Sequence, residues 1–198
     1  MLGLNTTERD LLSNAASCAL HRPTRWCAIT GAPGSGKTTL VELLARQGFP
    51  IAVDPGRVVL QQHLANGVEV GRSGPDYVRL QEEVLQYELG VIDVIDPEQR
   101  VFFDYGVAEA LAFMKLAGLT WPKHFVDAAA ALQFSKVFLL SPLKLDQPYD
   151  GVRVETERQR DQLWRLIGEV YGCLGMDVVK IKSATLRQRL DEVCAALD

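Results

Sequence analysis

The glycine-rich segment Gly31-Ala-Pro-Gly-Ser-Gly-Lys37-Thr38 constrains the fold of this chain more than any other feature. It matches the pattern G-x-x-x-x-G-K-[ST] at every position. An apolar run at 26–30 precedes it and a helical pattern at 37–47 follows it. In a strand-loop-helix unit of this kind, glycines let backbone N–H groups turn inward around an anion, and the start of the helix adds positive potential. The segment therefore predicts a phosphate-binding loop.

The rest of the chain alternates short apolar runs with helical patterns. Strands are predicted at 26–30, 49–53, 101–104, 136–140 and 178–181, and helices at 4–19, 37–47, 57–65, 76–89, 107–116, 121–133, from 156 onward and at 186–197. Thr6 or Thr7 is a candidate cap for the first helix, and Thr156 with Gln159 matches a capping box. This alternation predicts an α/β fold, a three-layer sandwich with a mainly parallel five-stranded sheet. Ligands of such sheets bind outside the carboxyl ends of the strands.

Size and composition narrow the class of protein. The chain has 198 residues, of which 47% are apolar and 23% charged, as is typical of one compact domain, and we expect 1–198 to form a single unit. A net charge of −4 gives no overall positive field, so we expect no obligatory nucleic-acid partner. No apolar run reaches the ~18 residues of a membrane span, and 1–10 lacks a leader pattern. We expect a cytoplasmic protein without a membrane anchor, disulfides or zinc.

The phosphate-binding loop implies a nucleotide and a metal ion. Lys37 would reach the β- and γ-phosphates of ATP, and Thr38 would ligate Mg²⁺. The residues predicted to bind ATP are Gly31, Ala32, Pro33, Gly34, Ser35, Gly36, Lys37, Thr38 and Thr39.

Four segments together resemble the P-loop kinases, the branch of nucleoside- and nucleotide-kinase-like proteins. They are 29–39, Asp54-Pro-Gly-Arg57, Val101-Phe-Phe-Asp104 and Asp150-Gly-Val-Arg153. More narrowly, the chain looks like the small single-domain ATPases related to ribosylnicotinamide kinase domains. The resemblance implies a segment covering the phosphoryl acceptor at about 67–100 and a lid at about 141–160. One position departs from the pattern, because such kinases often carry Asp-Arg after the third strand and here Tyr105 follows Asp104.

Two carboxylates follow predicted strands. Asp104 can hold Mg²⁺ or accept the proton of an attacking hydroxyl, and the alternative is a helix N-cap. In similar kinases an acidic residue at the position of Asp54 binds the substrate or acts as general base, but Asp54-Pro-Gly is equally an ordinary turn. Arg57, one helical turn further on, either binds an anionic acceptor or lies in solvent.

Three arginines flank the start of the helix that follows the predicted lid. Arg153, Arg158 and Arg160 are placed where a P-loop kinase carries lid arginines, whose planar guanidinium groups contact the transferring phosphoryl oxygens. The alternative is a solvated helix face on which these arginines form salt bridges. The acidic residues of 67–100, Glu88 among them, are expected on a solvated face of an amphipathic helix.

These observations predict an ATP- and Mg²⁺-dependent phosphotransferase that acts on a small metabolite such as a nucleoside or nucleotide. Its catalytic residues would be Lys37, Asp104, Asp54 and Arg153, with Thr38 and Asp104 at the metal ion. Substrate contacts would come from Asp54, Arg57, Arg158 and Arg160. The alternative is a regulatory ATPase that acts through a protein partner, which Tyr105 in place of an arginine keeps open.

Overall fold

A computed structural model of the chain describes residues 3–20, 23–68, 74–143 and 155–197. The elements in chain order are α1 (Thr6–Cys18), β1 (Cys27–Gly31), α2 (Lys37–Arg46), β2 (Ile51–Ala52), α3 (Pro55–Ala65), α4 (Gly74–Ile92), β3 (Phe102–Phe103), α5 (Val107–Leu116), α6 (Lys123–Ala131), β4 (Lys136–Leu140), α7 (Glu157–Cys173), β5 (Val178–Ile181) and α8 (Leu186–Ala195). The predicted strands and helices are all found, although β2 and β3 are shorter than expected.

The five strands form one sheet in the order β2-β3-β1-β4-β5, and every neighbouring pair is parallel. Cys27 at the start of β1 lies opposite Phe102 on one side and Lys136 on the other. The predicted α/β fold with a five-stranded parallel sheet is therefore confirmed. Because all strands run the same way, their carboxyl ends share one edge.

Side chains alternate between the two faces of the sheet, and each face packs on its own helices. Ala28 and Val137 point into a core built with α1, α5, α6 and α7. Ile29 and Phe138 point into a second core built with α2 and α8. Helices thus cover both faces, and the predicted three-layer arrangement is confirmed.

A third and smaller apolar cluster lies beside the β2 edge. It joins Val59 of α3 to Tyr77, Leu80 and Val84 of α4, and it includes Tyr105 from the segment after β3. We call these helices the α3–α4 pair. Its core is separate from the two that sandwich the sheet.

Helix ends show which local signals were read correctly. The capping box of Thr156 and Gln159 is present at the start of α7. The predicted Thr6 or Thr7 cap of α1 is wrong, because Asn5 caps that helix and forms a capping box with Glu8. Asn5 is the stronger signal, since the residue three positions later can return the hydrogen bond.

No helix in the described ranges combines the length and apolar character that crossing a membrane requires. All four cysteines are free. Within the same ranges, no group of three or more His, Cys, Asp or Glu side chains could hold a metal ion.

Candidate functional site

The candidate site lies at the edge where the parallel strands end. Gly31 closes β1, Asp54 follows β2, Asp104 follows β3 and Ser141 follows β4. The topology therefore brings together positions that are more than 100 residues apart along the chain.

The phosphate loop, residues 31–38, has the backbone form that its glycines predict. Gly31, Gly34 and Gly36 have φ values of 147°, 75° and 87°. A Cβ on Gly31 would lie 2.7 Å from the carbonyl oxygen of Leu140 and 2.8 Å from Oγ of Ser35, so only glycine fits there. The loop forms a cradle that leads into the start of α2, where an anion meets backbone N–H groups.

Lys37, the first residue of α2, folds back over this cradle. Its Nζ donates to the carbonyl oxygens of Gly31 at 2.7 Å and Ala32 at 3.5 Å. The ammonium group is thus held directly above the loop, where a phosphate oxygen could exchange with these carbonyls.

Arg189 of α8 supports the phosphate loop from behind, and the sequence analysis missed it. Its side chain is 2% exposed. Its guanidinium donates to the carbonyl oxygens of Ser35 at 2.5 Å, Ser183 at 2.7 Å and Ser141 at 3.0 Å. Burial lowers the pKa of this group. The helical pattern around Arg189 predicted a helix but gave no sign that this residue turns inward.

Asp104 is the buried carboxyl at the centre of the site. It is 3% exposed, and its Oδ1 has no hydrogen-bond partner among the described residues. The pKa of Asp104 is raised to about 6, chiefly because the carboxyl is buried. Thr38, Lys37 and Arg57 oppose this rise in pKa. Asp54 adds to it. The fold therefore brings these five predicted residues into one electrostatic cluster. The N-cap alternative for Asp104 is wrong, because Gly106 occupies the N-cap of α5.

Asp54 and Arg57 begin α3. The Asp54 side chain accepts a hydrogen bond from the backbone N–H of Arg57 at 3.2 Å and caps this helix. The turn interpretation of Asp54-Pro-Gly is thus wrong, because Pro55 and Gly56 belong to the first turn of α3, and a role of Asp54 with substrate stays a prediction. The Arg57 side chain is exposed toward the same edge.

Of the three predicted lid arginines, the structure describes Arg158 and Arg160, and neither lies in the electrostatic cluster around Asp104. Arg153 lies outside the described ranges, as does most of the predicted lid. Arg158 is exposed, and Arg160 is half-buried with Nε and Nη1 unpartnered. In the described ranges, no hydrogen bond or ion pair joins Arg158 or Arg160 to the phosphate loop or Asp104.

Tyr105 has an unusual backbone and a buried ring. Its φ of 153° is uncommon for a residue other than glycine, and such strain clusters at functional sites. The ring packs with Tyr77 and Leu80 of the α3–α4 pair. The position that carries arginine in similar kinases therefore holds the α3–α4 pair against the site here.

Two further buried carboxyls stand beside Asp104, and sequence reasoning missed both. Glu109 of α5 is fully buried and Glu88 of α4 is 4% exposed, and in the described part of the chain neither carboxyl oxygen of Glu109 and not Oε1 of Glu88 has a hydrogen-bond partner. The expectation that Glu88 lies on a solvated face is wrong. Its spacing from Gln81 and Val84 puts it on the buried face of α4, a signal that the sequence did contain.

Burial also perturbs the titration of these carboxyls. Burial raises the pKa of Glu109 to about 8, an effect that Lys37 and Thr30 oppose and that Asp54 and Asp104 reinforce. The hydroxyl oxygen of Thr30 has no hydrogen-bond partner among the described residues. Burial raises the pKa of Glu88 the most, and the charge of Glu109 raises it further.

A cavity of about 10 Å³ lies between the carboxyl ends of β2 and β3 and the C-terminal half of α4. It has room for roughly one water molecule. The cavity is lined by Ala52, Val53, Pro55, Glu88, Val91, Phe103, Asp104 and Tyr105. Its polar lining comes chiefly from two carboxyls.

Comparison with known proteins gives one family and one fold. A family model described as AAA domain matches residues 26–189, from just before β1 to Arg189. None of the curated proteins matches the sequence at a significant level.

Three solved structures have this fold. Deoxyadenosine kinase from M. mycoides with dCMP and dCDP is 16% identical, with a TM-score of 0.62 over 87% of this chain and 97% of its own. The NadR protein in complex with NR is 19% identical, with a TM-score of 0.64 over 95% of this chain and 53% of its own. The NadR protein in complex with NAD and AMP-PNP is 18% identical, with a TM-score of 0.61 over 95% of this chain and 51% of its own. The chain thus spans about half the length of NadR, and its resemblance to the fold of P-loop kinases is confirmed.

Proposed function

This chain belongs to the AAA-domain family whose model matches residues 26–189, and from that premise we propose that it is an ATP- and Mg²⁺-dependent kinase for a small nucleoside-type acceptor. One observation carries the proposal. Asp104 is buried with one oxygen unpartnered among the described residues, and it interacts electrostatically both with Lys37 and Thr38 of the phosphate loop and with Asp54 and Arg57 after β2. Donor and acceptor groups of a phosphoryl transfer would meet at that carboxyl.

The residues present fit ATP and Mg²⁺. The glycine-rich cradle at 31–38, which leads into the N-terminus of α2, suits a phosphate group. The Thr38 hydroxyl and the unpartnered oxygen of Asp104 are hard oxygen donors of the kind that Mg²⁺ prefers. When bound, Mg²⁺ supplies charge neutralisation at the phosphate oxygens.

The chain's own residues then divide the work. Residues 31–39 bind the nucleotide phosphates, and Lys37 gives up its carbonyl contacts to donate to the β- and γ-phosphates. Asp54 or Asp104 orients the acceptor hydroxyl and accepts its proton as the new O–P bond forms, while the bond from the γ-phosphorus to the bridging oxygen breaks and ADP leaves. Arg57 lies where it can stabilise an anionic group of the acceptor.

The remaining lid and cover assignments belong to the same proposal. Arg153, with Arg158 or Arg160, would stabilise charge on the transferring phosphoryl group from a lid at about 141–160. The segment at about 67–100, which contains α4, would cover the acceptor. A cytoplasmic location agrees with this chemistry.

The matched structures support a nucleoside-type acceptor. One is named a deoxyadenosine kinase, and NadR was solved with NR and with AMP-PNP. These names describe proteins less than 20% identical to this chain, so the acceptor must be found by experiment.

A regulatory ATPase is the second candidate, and one observation favours it. Tyr105 is buried among apolar residues at the position where similar kinases present an arginine to substrate. An ATPase that acts through a protein partner needs no such contact.

Incubation with γ-labelled ATP and a panel of nucleosides, nucleotides and ribosides separates the two candidates. The kinase transfers label to one acceptor in an amount equal to the ADP formed, and Lys37→Ala abolishes the transfer. Asp54→Asn should suppress the acceptor-stimulated rate more than the basal rate. Label found only in free phosphate across the whole panel would establish the regulatory ATPase instead.

A further inference from the structure

Glu88 has no stabilising role that the described residues explain. Its carboxyl is buried in α4, its Oε1 has no partner, and no ion pair joins it to a described cation. The backbone of Val107 lowers the pKa of this carboxyl, but burial and Glu109 raise it more. A buried carboxyl that is only half satisfied costs stability, so a function is the physical reason to look for.

The groups around Glu88 increase that cost. Glu109 and Asp54 both add negative potential at its carboxyl. The ring of Tyr105 lies against α4. Burial raises the pKa of its hydroxyl, and Glu109 and Glu88 raise it further. Lys37, the cation that acts on Glu109, is bound to the phosphate loop. This side of the site therefore crowds several buried carboxyl groups together, and none of the described residues gives Oε1 of Glu88 a hydrogen-bond donor.

The cavity beside Glu88 sets the size of what can satisfy it. Glu88 and Asp104 both line this space of about 10 Å³, and each has one unpartnered buried oxygen. A single amino group or hydroxyl has the required size. The cavity walls contributed by Val53 and Pro55 lie at the end of β2, on the acceptor side of the site.

From this juxtaposition we propose that Glu88 is a specificity residue of the acceptor site, which accepts a hydrogen bond from an amino or hydroxyl group of the substrate. The inference rests on the proposed kinase function and adds the substrate class to it. A substrate with a donor at this position satisfies Oε1 of the buried carboxyl, whereas an analogue with a carbonyl there leaves that oxygen without a donor.

Pairs of nucleosides that differ in one donor test this inference. Deoxyadenosine against deoxyinosine, and deoxycytidine against deoxyuridine, exchange an amino group for a carbonyl, and adenosine against deoxyadenosine adds a hydroxyl. We expect the wild-type protein to prefer the member with the extra donor in at least one pair. Glu88→Met should lower kcat/KM for that member by about 3- to 10-fold, the value of a hydrogen bond to a neutral carboxyl, and leave the KM for ATP unchanged.

Stability provides a second measurement that separates recognition from packing. Removing an unsatisfied buried carboxyl should raise the thermal midpoint of the ligand-free protein for Glu88→Met, whereas the isosteric Glu88→Gln keeps a buried polar group and should leave the midpoint near that of the parent. Glu82→Gln is the matched control, because Glu82 lies on the same helix and contacts the exposed His124. That variant should change neither the nucleoside preference nor the KM for ATP.

Two results would overturn the inference. If the wild-type protein phosphorylates a nucleoside and both Glu88 variants keep its preference while their thermal midpoints fall, Glu88 is a packing residue and the kinase function stands. If the wild-type protein phosphorylates no member of the panel, the proposed function fails and this inference fails with it.

Discussion

The two halves of the site differ in how many of their buried polar groups have hydrogen-bond partners. On the phosphate-loop side, Arg189 is buried but all its contacts are satisfied by three backbone carbonyl oxygens, and Ser35 Oγ is the exception that has no partner. On the acceptor side, Asp104, Glu88 and Glu109 together present four buried oxygens without partners. Among the described residues, the second half therefore holds more buried oxygens without partners than the first.

The difference follows from the kind of ligand each half is proposed to bind. A phosphate is recognised by backbone N–H groups, which the loop and α2 supply from one stretch of chain. An acceptor has its own pattern of donors, so it must be met by side chains from several elements. Buried polar side chains without hydrogen-bond partners lower the stability of the free protein. They contribute to specificity when a ligand supplies those partners.

The largest effect is expected on the phosphate side. Lys37→Ala should lower ATP-dependent turnover by about 10²- to 10³-fold, because the group that would contact the β- and γ-phosphates is lost. Thr38→Ala should act similarly through the metal ion. Both variants should keep the thermal midpoint of the parent, since neither side chain supports a core. Turnover near the parent rate in either variant would contradict the phosphate-loop assignment.

Arg189→Met tests whether the phosphate side depends on its support from α8. We expect a loss of about 3 kcal/mol in the free energy of unfolding, because three charge-assisted hydrogen bonds disappear. ATP affinity should fall about tenfold as the carbonyl of Ser35 is released. Arg187→Met is the matched control, since Arg187 is exposed on the same helix and pairs only with Asp191 at 3.2 Å among the described residues. Equal losses in both variants would mean that Arg189 has no special role.

Asp104 on the acceptor side predicts a pH dependence of the ligand- and magnesium-free protein. Its pKa is raised from 3.8 to about 6 in the fold, so the folded state holds this proton more tightly than the unfolded state. The contribution to stability is present below pH 3.8 and is lost as pH rises through about 6. Asp104→Asn should flatten this decline and stabilise the protein at pH 7 by on the order of 2 kcal/mol while abolishing catalysis.

Chemical denaturation at a series of pH values measures this effect. The decline should continue toward pH 8 in Asp104→Asn, because Glu109 titrates there with a pKa of about 8. A stability curve for Asp104→Asn that matches the parent at every pH would show that the Asp104 carboxyl carries no burial penalty.

The smallest effect is expected behind the site, at Tyr171 of α7. This ring is fully buried and its hydroxyl has no hydrogen-bond partner in the described part of the chain. The hydroxyl lies 2.5 Å from where a Cβ on Gly106 would stand. Tyr171→Phe should therefore raise the free energy of unfolding by about 1 kcal/mol, and the exposed Tyr87→Phe should leave it unchanged. A destabilised Tyr171→Phe would indicate that a water molecule satisfies this hydroxyl.

Local patterns explain why much of the phosphate half could be predicted. The motif at 31–38 needs only its own glycines and the following helix, and the capping box at Thr156 closes within four residues. The acceptor half was predicted in part. Asp54 and Asp104 were found because they follow strands, whereas Glu88 was assigned to a solvated face although its spacing matched the buried positions of α4.

By itself, the sequence determined the parallel α/β sheet, the phosphate loop and the edge at which a ligand would bind, because each depends on short-range periodicity, glycine conformation or strand direction. Only the tertiary structure decided that Arg189 holds the loop, that Tyr105 packs against the α3–α4 pair, and that Glu88 and Glu109 face Asp104. These contacts join elements distant along the chain. A charged residue reads as solvated until packing removes the water around it, and that removal depends on the whole fold.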